Sequence, residues 1–337
     1  MKKFFSIILI LTLCLAVFAG CGEQQTATDQ GNPGQQSTPT PIPTPAGNIS
    51  SNDEDDTTII KCDSWMATIT KFDKKGEEDE VDTRIVLDDS NTTIDGQGAI
   101  LKDGYVVIGA EGTYSLSGTL TNGGIIVDVP VTDKVHLILN GVNITSNQYA
   151  AICVIAGDKV SITLAEGTVN KLTDSTAYTY VYSETVVPNA CLFSKETLVI
   201  NGTGSLEVYG NCNNGITSKD HLKILSGNIY VNAVNHGVRG NDSVLINGGN
   251  LSIYAANDGI KATNETDSIK GFVFLTGGTI NVRAADDAVQ AVTAVYVTDA
   301  IAEVACGGKA INCDGTVWTK DGAFTEVDYM SAGDMAR

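Results

Sequence analysis

A short turn phrase that carries acids and amides recurs along the second half of the chain. The copies read NHG, NDG and DDA, and they place Asn257, Asp258, Asp286 and Asp287 at matching positions of the phrase. If the copies stack as neighbouring strands, equivalent side chains lie about 4.8 Å apart. Carboxylates that close repel one another unless a cation lies between them, and Ca²⁺ prefers six to eight such oxygen ligands. The spacing therefore predicts a calcium site, although Asn, Asp and Gly are also ordinary turn formers.

Further acids extend this predicted site. A seven-residue insertion within the stretch TNETDSIKG follows the NDG copy and supplies Glu265 and Asp267. Asp242, together with Asp220, forms a second acidic column some five residues after the turn. We expect Glu265, Asp267 and Asp242 to contribute ligands.

A cationic pair follows the same turns. Arg239 and Lys261 occupy the outward position two residues after the turn glycine, in a column with Thr217, Gln290 and Asn312. Beside calcium, Arg239 and Lys261 are suited to gripping the carboxylate of an acidic sugar. The alternatives are that they balance the adjacent acids, or that one of them removes the proton α to a uronate carboxyl.

Tyrosines form the remaining candidate surface. Tyr178, Tyr180 and Tyr182 alternate, so an extended segment would present all three on one side, where sugar rings could stack. The alternative is that they fix this inserted loop to the body of the protein. Tyr209 and Tyr254, at equivalent outward positions two copies apart, are weaker candidates.

The elements that position these residues are short strands in a repeat. Equivalent positions at Gly215, Gly237, Gly259, Ala288 and Ala310 are separated by 22, 22, 29 and 22 residues. Apolar columns run through the copies with period two, which is typical of strands with one buried side. They are Leu206–Ile229–Leu251–Ile280, Val208–Val231–Ile253–Val282 and Leu222–Val244–Val273–Val295. One copy cannot bury its apolar side alone, so the pattern predicts an all-β fold, a parallel β-helix of about 22 residues per coil over residues 59–337.

Composition limits the class of partner. Lys and Arg number 21 against 40 Asp and Glu, a formal net charge of −19. Nucleic acid and anionic membrane surfaces need a positive face, so neither is expected as a partner. A monomer is expected.

The N-terminus carries an export signal. The sequence begins with MKKFFSIILILTLCLAVFAGC, in which two lysines precede an apolar run and small residues precede Cys21. We expect residues 1–21 to be a lipoprotein signal with Cys21 lipidated, and residues 22–58, rich in Pro, Thr and Gln, to be a disordered tether. The protein is thus predicted to be anchored by lipid on the extracellular face of the cell membrane. The six later cysteines are either paired or buried as free thiols.

Several stretches resemble a family of bacterial carbohydrate-binding domain-containing proteins that are often exported as lipoproteins. They include VHLILNGVNIT, LFSKETLVINGTGSLEV and NDGIKATNETDSIKG, within residues 85–315. The resemblance implies a right-handed parallel β-helix similar in shape to pectate lyases, with bound calcium, that binds cellulose-like or pectic polysaccharide. The NHG and DDA copies depart from the DDG-like pattern of the family.

We therefore predict non-catalytic polysaccharide binding. The alternatives are a calcium-dependent polysaccharide lyase that uses Lys261 or Arg239 as base, and a structural surface stalk or adhesin.

Overall fold

The computed structural model describes residues 48–52 and 56–329. The predicted signal peptide, Cys21 and most of the predicted tether lie outside these residues. Asn48–Asn52, inside the predicted range of the tether, pairs as an antiparallel strand with Thr57–Cys62. Within the described part of the chain, no helix is long and apolar enough to cross a membrane.

Almost all regular structure in these residues is β-strand. The first strands are β1 (Asn48–Asn52), β2 (Thr57–Cys62) and β3 (Trp65–Ile69), followed by a 3-10 turn at Phe72–Lys74. Next come β4 (Thr83–Leu87), β5 (Thr93–Asp95), β6 (Ala99–Lys102), β7 (Tyr105–Ile108), β8 (Gly112–Leu120), β9 (Gly124–Asp128), β10 (Lys134–Thr145), β11 (Ile152–Ala156), β12 (Lys159–Leu164), β13 (Val169–Thr173), β14 (Ala190–Ser194), β15 (Thr197–Gly202), β16 (Ser205–Gly210) and β17 (Asn214–Ser218). The last are β18 (His221–Ile224), β19 (Asn228–Ala233), β20 (Val238–Gly240), β21 (Ser243–Ile246), β22 (Asn250–Ala255), β23 (Ile260–Ala262), β24 (Phe272–Leu275), β25 (Thr279–Ala284), β26 (Val289–Ala291), β27 (Ala294–Val297), β28 (Ile301–Cys306), β29 (Ile311–Cys313), β30 (Thr316–Thr319) and β31 (Phe324–Glu326).

From β11 onward the strands stack in three parallel rows. Row A is β13-β16-β19-β22-β25-β28-β31. Row B is β12-β15-β18-β21-β24-β27-β30. Row C is β11-β14-β17-β20-β23-β26-β29. Each pass of the chain adds one strand to each row, so the molecule is an all-β stack of parallel strands.

The predicted columns are confirmed by the strand pairing. Ile229 pairs with Leu206 and Leu251, and Val231 with Val208 and Ile253. These side chains are 2% exposed or less and belong to one continuous core inside the rows. Each buried Val, Leu or Ile contributes about 1.5–3 kcal/mol relative to exposure.

The N-terminal strands pack against the outside of row B. Apolar side chains of β2–β3 form one buried cluster with side chains on the outside of row B. The cluster consists of Ile60, Cys62, Ala67 and Ile69 from β2–β3 and of Leu245, Phe272, Phe274, Ala294 and Tyr296 from row B. Asp73, fully buried, fixes the adjoining 3-10 turn by ion pairs to Lys159 at 2.5 Å and Lys223 at 2.8 Å. This segment therefore covers the outer apolar side of row B.

Candidate functional site

The repeated turn places one polar side chain per pass at or just before the start of each row-C strand. These side chains form a column, which consists of Asn214, His236, Asp258, Asp287 and Lys309. Side-chain oxygens in this column accept backbone N–H groups one pass further along: Asn214 Oδ1 from His236 at 3.2 Å, Asp258 Oδ1 from Asp287 at 3.2 Å, and Asp287 Oδ1 from Lys309 at 2.8 Å. The column therefore stabilises the stacked turns, which is one function of its acids.

His236 interrupts this series. Its Nδ1 lies 3.4 Å from the backbone nitrogen of Asp258 and 3.1 Å from Asp258 Oδ2. One ring nitrogen cannot accept from the amide and donate to the carboxylate at once. The shorter contact, with a charged acceptor, favours a protonated Nδ1 that donates to Asp258.

The three predicted acids do come together. One carboxylate oxygen from each of Asp258, Asp286 and Asp287 lies within 4.8 Å of the others, with Asp258 and Asp287 buried and Asp286 exposed. Lys261 Nζ pairs with Asp258 Oδ2 at 2.8 Å. Burial raises the pKa of Asp258, but hydrogen bonds from His236 and Lys261 outweigh it and lower the pKa to about 2. Asp258 is therefore ionised at neutral pH.

Two neighbouring features fit a cation among these acids. Asn235 Nδ2 donates to Asn213 Oδ1 at 2.7 Å, and Asn257 Nδ2 donates to Asn235 Oδ1 at 3.0 Å. The next residue in this amide series is Asp286, whose carboxylate cannot donate to Asn257. A Cβ added at Gly308 would lie 2.6 Å from Asp287 Oδ1 and 2.7 Å from Asp286 Oδ1, so only glycine leaves these oxygens their space. Asn257, Asp258, Asp286 and Asp287 are the residues that could hold Ca²⁺.

The other predicted ligands lie elsewhere. Asp242 groups with Asp220 and His221, whose ligand atoms lie within 4.8 Å of one another. Asp242 accepts from Asn264 at 2.6 Å and pairs with Lys270 at 2.6 Å, so the insertion reaches Asp242 and not Asp258.

Glu265 and Asp267 belong to neither acidic group. Glu265 lines a small cavity of about 130 Å³ together with Lys261, Gln290 and Asn312. Asp267 Oδ1 accepts the backbone N–H of Ile269 within the inserted loop. Glu265 and Asp267 are close to the turn in sequence but are not grouped with Asp258 in space, because the insertion folds toward Asp242.

The cationic column is formed as predicted, but its two cations differ. Arg239 pairs in register with Thr217 and Lys261 in row C. Lys261 is neutralised by Asp258, whereas Arg239 forms no ion pair with any described carboxylate and donates a hydrogen bond to Thr263 Oγ1 at 3.3 Å. Burial lowers the pKa of Arg239. A half-buried guanidinium without a carboxylate partner is a ready site for an anionic group.

The tyrosines of the inserted loop pack inward, which differs from the predicted sugar-stacking surface. Tyr180 stacks on Tyr105 with ring centroids 4.6 Å apart, and Tyr178 packs against Tyr149 at 5.8 Å. The hydroxyls of Tyr178 and Tyr182 donate to Asp174 at 2.6 Å and Asp128 at 3.0 Å. These contacts fix the loop to row C, because burying aromatic surface and pairing each hydroxyl outweighs leaving the rings in water.

A half-buried aromatic series lies on the outer side of row A, and the sequence indicated only two of its three members. Tyr230 lies between Tyr209 and Tyr254, at centroid distances of 5.8 Å and 5.5 Å. Tyr209 and Tyr254 share a column through Asn232, while Tyr230 belongs to the adjacent outward column. The sequence could have indicated Tyr230 as well, because long side chains on neighbouring strands can contact diagonally, from one column to the next.

Known proteins of similar sequence and fold indicate the class to which this chain belongs, a carbohydrate-binding one. The family described as carbohydrate-binding domain-containing protein matches residues 102–332. A protein of that description from Acetivibrio thermocellus is 40% identical over 250 residues, covering 74% of this chain and 87% of the relative. The chain belongs to this family of carbohydrate-binding domain-containing proteins.

A solved structure has the same fold. It is described as a gadolinium derivative of the polysaccharide lyase-like protein from C. thermocellum, and it matches with a TM-score of 0.71 and 40% identity. The match covers 73% of this chain and all of that one. The likeness to a polysaccharide lyase-like protein suggests that the stacked rows form a β-helix.

Proposed function

We propose that this protein is a cell-surface lipoprotein that binds acidic polysaccharide of the plant cell-wall type, without cleaving it, through a right-handed, calcium-containing β-helix with coils of about 22 residues. Arg239 is the observation that carries the proposal. It is the row-C cation left without a carboxylate partner among the described residues, although the chain has 40 acids. A guanidinium in this state can bind a uronate carboxylate through two parallel hydrogen bonds.

Calcium supplies the second contact in this proposal. Asn257, Asp258, Asp286 and Asp287 would hold the ion, and a uronate carboxylate would complete its oxygen shell. The related solved structure is a gadolinium derivative, and Gd³⁺, like Ca²⁺, is a hard cation that prefers oxygen ligands. Lys261 Nζ is ion-paired with Asp258 Oδ2, so an ion at this corner would either share that carboxylate oxygen with the ammonium or displace the ammonium.

The residues at this corner favour binding over cleavage. A base must reach the proton that it removes, and Lys261 Nζ is already paired with Asp258 Oδ2 at 2.8 Å. Arg239 keeps its proton because the ordinary pKa of a guanidinium, above about 12, lies far from neutral pH. The proposed site therefore has two cationic groups that can hold an anion, and neither of them is suited to remove a proton.

The test is affinity electrophoresis of the mature chain, made soluble by Cys21→Ser, through gels that contain polygalacturonate and calcium. Wild-type protein is expected to be retarded, and Arg239→Ala to weaken binding at least about tenfold, the equivalent of one lost charge-assisted contact. Arg239→Lys should recover only part of the affinity. Lys320→Ala, which removes an exposed lysine from row B, is the matched control. Unchanged retardation of Arg239→Ala would refute this site, and no retardation of the wild type would refute the function.

The polysaccharide lyase-like neighbour keeps a lyase as the second candidate. Incubation with polygalacturonate and calcium should give no ultraviolet absorbance from unsaturated product. Product that forms with the wild type and is absent with Lys261→Ala or Arg239→Ala would establish the lyase. Retention on no glycan at all would instead favour the stalk or adhesin.

Membrane anchoring rests on Cys21. Wild-type cells should incorporate labelled fatty acid into the protein, and the Cys21→Ser variant should not. Equal labelling of the two proteins would place the lipid elsewhere.

A further inference from the structure

The N-terminal part of the described chain covers the outside of row B and of two strands that extend this row. This N-terminal cover consists of residues 57–79, which include β2, β3 and the 3-10 turn. The extending strands are β10, which pairs with β12, and β8, which pairs with β10. Lys75 Nζ donates to Thr113 Oγ1 of β8 at 3.1 Å, and the carbonyl oxygen of Lys75 accepts from Thr163 Oγ1 of β12 at 2.9 Å. The cover is therefore attached on both sides of β10.

A histidine is buried beneath this attachment. His136 of β10 is fully buried and lies between β8 and β12. Its Nε2 is 2.8 Å from Thr163 Oγ1. The Thr163 hydroxyl has a single proton, which it donates either to the carbonyl oxygen of Lys75 at 2.9 Å or to Asn201 Oδ1 at 2.7 Å. Thr163 therefore accepts a hydrogen bond from Nε2–H of His136, and Nδ1 carries the lone pair.

The Nδ1 atom of His136 has no partner. Among the described residues, no group makes a hydrogen bond to it, and the hydroxyl of Ser161, the next residue in register, is also without a partner. A proton on Nδ1 would create a buried N–H without an acceptor, which is costly. The attached cover therefore accommodates the neutral ring and not the charged one.

The charges that face His136 also oppose a positive ring. On the cover, Lys75 and Asp79 act on it with opposite signs, and the effect of Lys75 is the larger. The strand residues in register with it, Thr113 and Ser161, are neutral. The lysines nearby on the strands are already paired with acids, namely Lys134 with Asp158 and Lys159 with Asp73. Burial, and after it Lys75, lower the pKa of His136 to about 4.

Water can reach the edge of this buried region. A cavity of about 640 Å³ lies between the cover and the first strands, lined by Phe72, Lys75 and Asp79 of the cover and by Lys134 and Lys159 of β10 and β12. The attachment of the cover at Lys75 is therefore accessible to solvent without any unfolding of the rows.

We propose that the N-terminal cover is acid-sensitive: proton uptake by His136 favours a state in which the cover is detached from row B while the stacked rows remain folded. In the detached state the ring is in water, where it titrates near pH 6.5. The attached cover thus has its full stability above about pH 6.5 and loses stability as the pH falls toward about 4. Asp73 adds its own loss only in a lower range, below about pH 3.9. The alternative is that acid destabilises the whole chain at once.

Two buried cysteines provide the measurement. Cys62 belongs to the cover and is buried against row B, whereas Cys153 is buried on β11 of row C, outside the cover. The soluble Cys21→Ser chain is treated with a dipyridyl disulfide, which reacts with thiols in acid as well as near neutrality. Peptide mass spectrometry follows the labelling of each cysteine. For each thiol, the rate in the native protein divided by the rate in urea at the same pH reports the population of the open state.

Between about pH 7.5 and about pH 4.5 the ratio for Cys62 should rise about fiftyfold, as the two pKa values of His136 require, while that for Cys153 stays low. His136→Gln keeps a polar group for Thr163 but cannot become charged, so it should reduce the rise to less than about threefold. His221→Gln, at another histidine of row B whose ring contacts Ser243, is the matched control and should keep the full rise. If His136→Gln does not fold by circular dichroism, Lys75→Gln is read instead. Removing this facing charge should diminish the rise.

The outcomes separate local detachment from other effects of acid. A ratio for Cys62 that does not change with pH overturns the proposal, as does an equal rise in His136→Gln. A parallel rise at Cys153 would show unfolding of the whole chain and would also overturn it. None of these results depends on Arg239 or on a polysaccharide, so the proposed function is tested separately.

Discussion

The backbone N–H of Asp287 donates to Asp258 Oδ1 across 3.2 Å, so the two buried acids are linked in series along the stack. The same carboxylate receives Lys261 Nζ on its other oxygen at 2.8 Å. Asp258 therefore has a structural role within the stacked turns, whether or not it also binds a ligand.

Replacing Asp258 should separate these roles. Asp258→Asn keeps an acceptor for the Asp287 N–H, whereas Asp258→Ala leaves that buried N–H unpaired, which costs about 1–3 kcal/mol. In EDTA, the alanine variant should therefore be less stable than the asparagine variant by about that amount in urea unfolding. Equal stability of the two variants would show that the Asp258–Asp287 bond contributes nothing.

Asp73 should give the protein a steep acid sensitivity. Burial raises the pKa of Asp73, but Lys223 and Lys159 outweigh it, so its folded-state pKa lies below its usual value. A lowered pKa contributes stability above the unfolded-state value of about 3.9, and that stability is lost as the pH falls through the folded value. Asp73→Ala should cost about 3–5 kcal/mol at neutral pH, because two lysines then lose their buried partner.

The comparison for Asp73 is the exposed Lys320–Asp299 pair. Asp299→Ala should change the free energy of unfolding by less than about 1 kcal/mol, since exposed pairs contribute little. Thermal unfolding followed across pH should show the Asp73→Ala curve approaching that of the wild type in acid. Parallel curves at all pH values would contradict the assignment.

Gly308→Ala should weaken calcium binding while the fold persists. The added Cβ would meet Asp286 and Asp287 oxygens at 2.7 Å and 2.6 Å and force them apart. Calcium titration by calorimetry should show at least about tenfold weaker affinity. Gly109→Ala is the matched control, because a Cβ there meets nothing within 4 Å and the backbone is not in the left-handed region. Equal affinities in the two variants would argue against an ion at this corner.

Thiol labelling should distinguish two groups of cysteines. All six described cysteines are free, with Cys62, Cys153, Cys191 and Cys306 buried. Burial raises the pKa of the Cys62 thiol to about 11 and that of Cys153 to about 12. A thiol reagent followed by peptide mass spectrometry should label native protein at Cys212 and Cys313 at most, and all six after unfolding. Cysteines that stay unlabelled until a reductant is added would reveal disulfides in the protein.

The repeat made part of this structure predictable. Columns such as Thr217–Arg239–Lys261 follow from a fixed spacing and period-two alternation, and the meeting of Asp258 with Asp287 follows from the same register. The ring contacts of Tyr178 and Tyr180 could not be predicted from the repeat, because Tyr149 and Tyr105 belong to different passes from the loop. The pairing of Asp73 with Lys159 and Lys223 spans 86 and 150 residues, and no repeat connects them. A periodic sequence predicts which residues are neighbours within the stack. The contacts of segments outside the repeat cannot be predicted in this way, because no regular spacing relates the residues that meet.

The attachment of the N-terminal strands to row B also has a mechanical consequence. Tension applied to the chain ahead of β2 would be transmitted to the side of the stack, through Asp73 and through the apolar contacts of β2–β3 with β21, β24 and β27. Such a load shears many contacts at once and does not peel strands one by one from the end. A domain held this way can remain folded under a force that would unravel a stack pulled from its end.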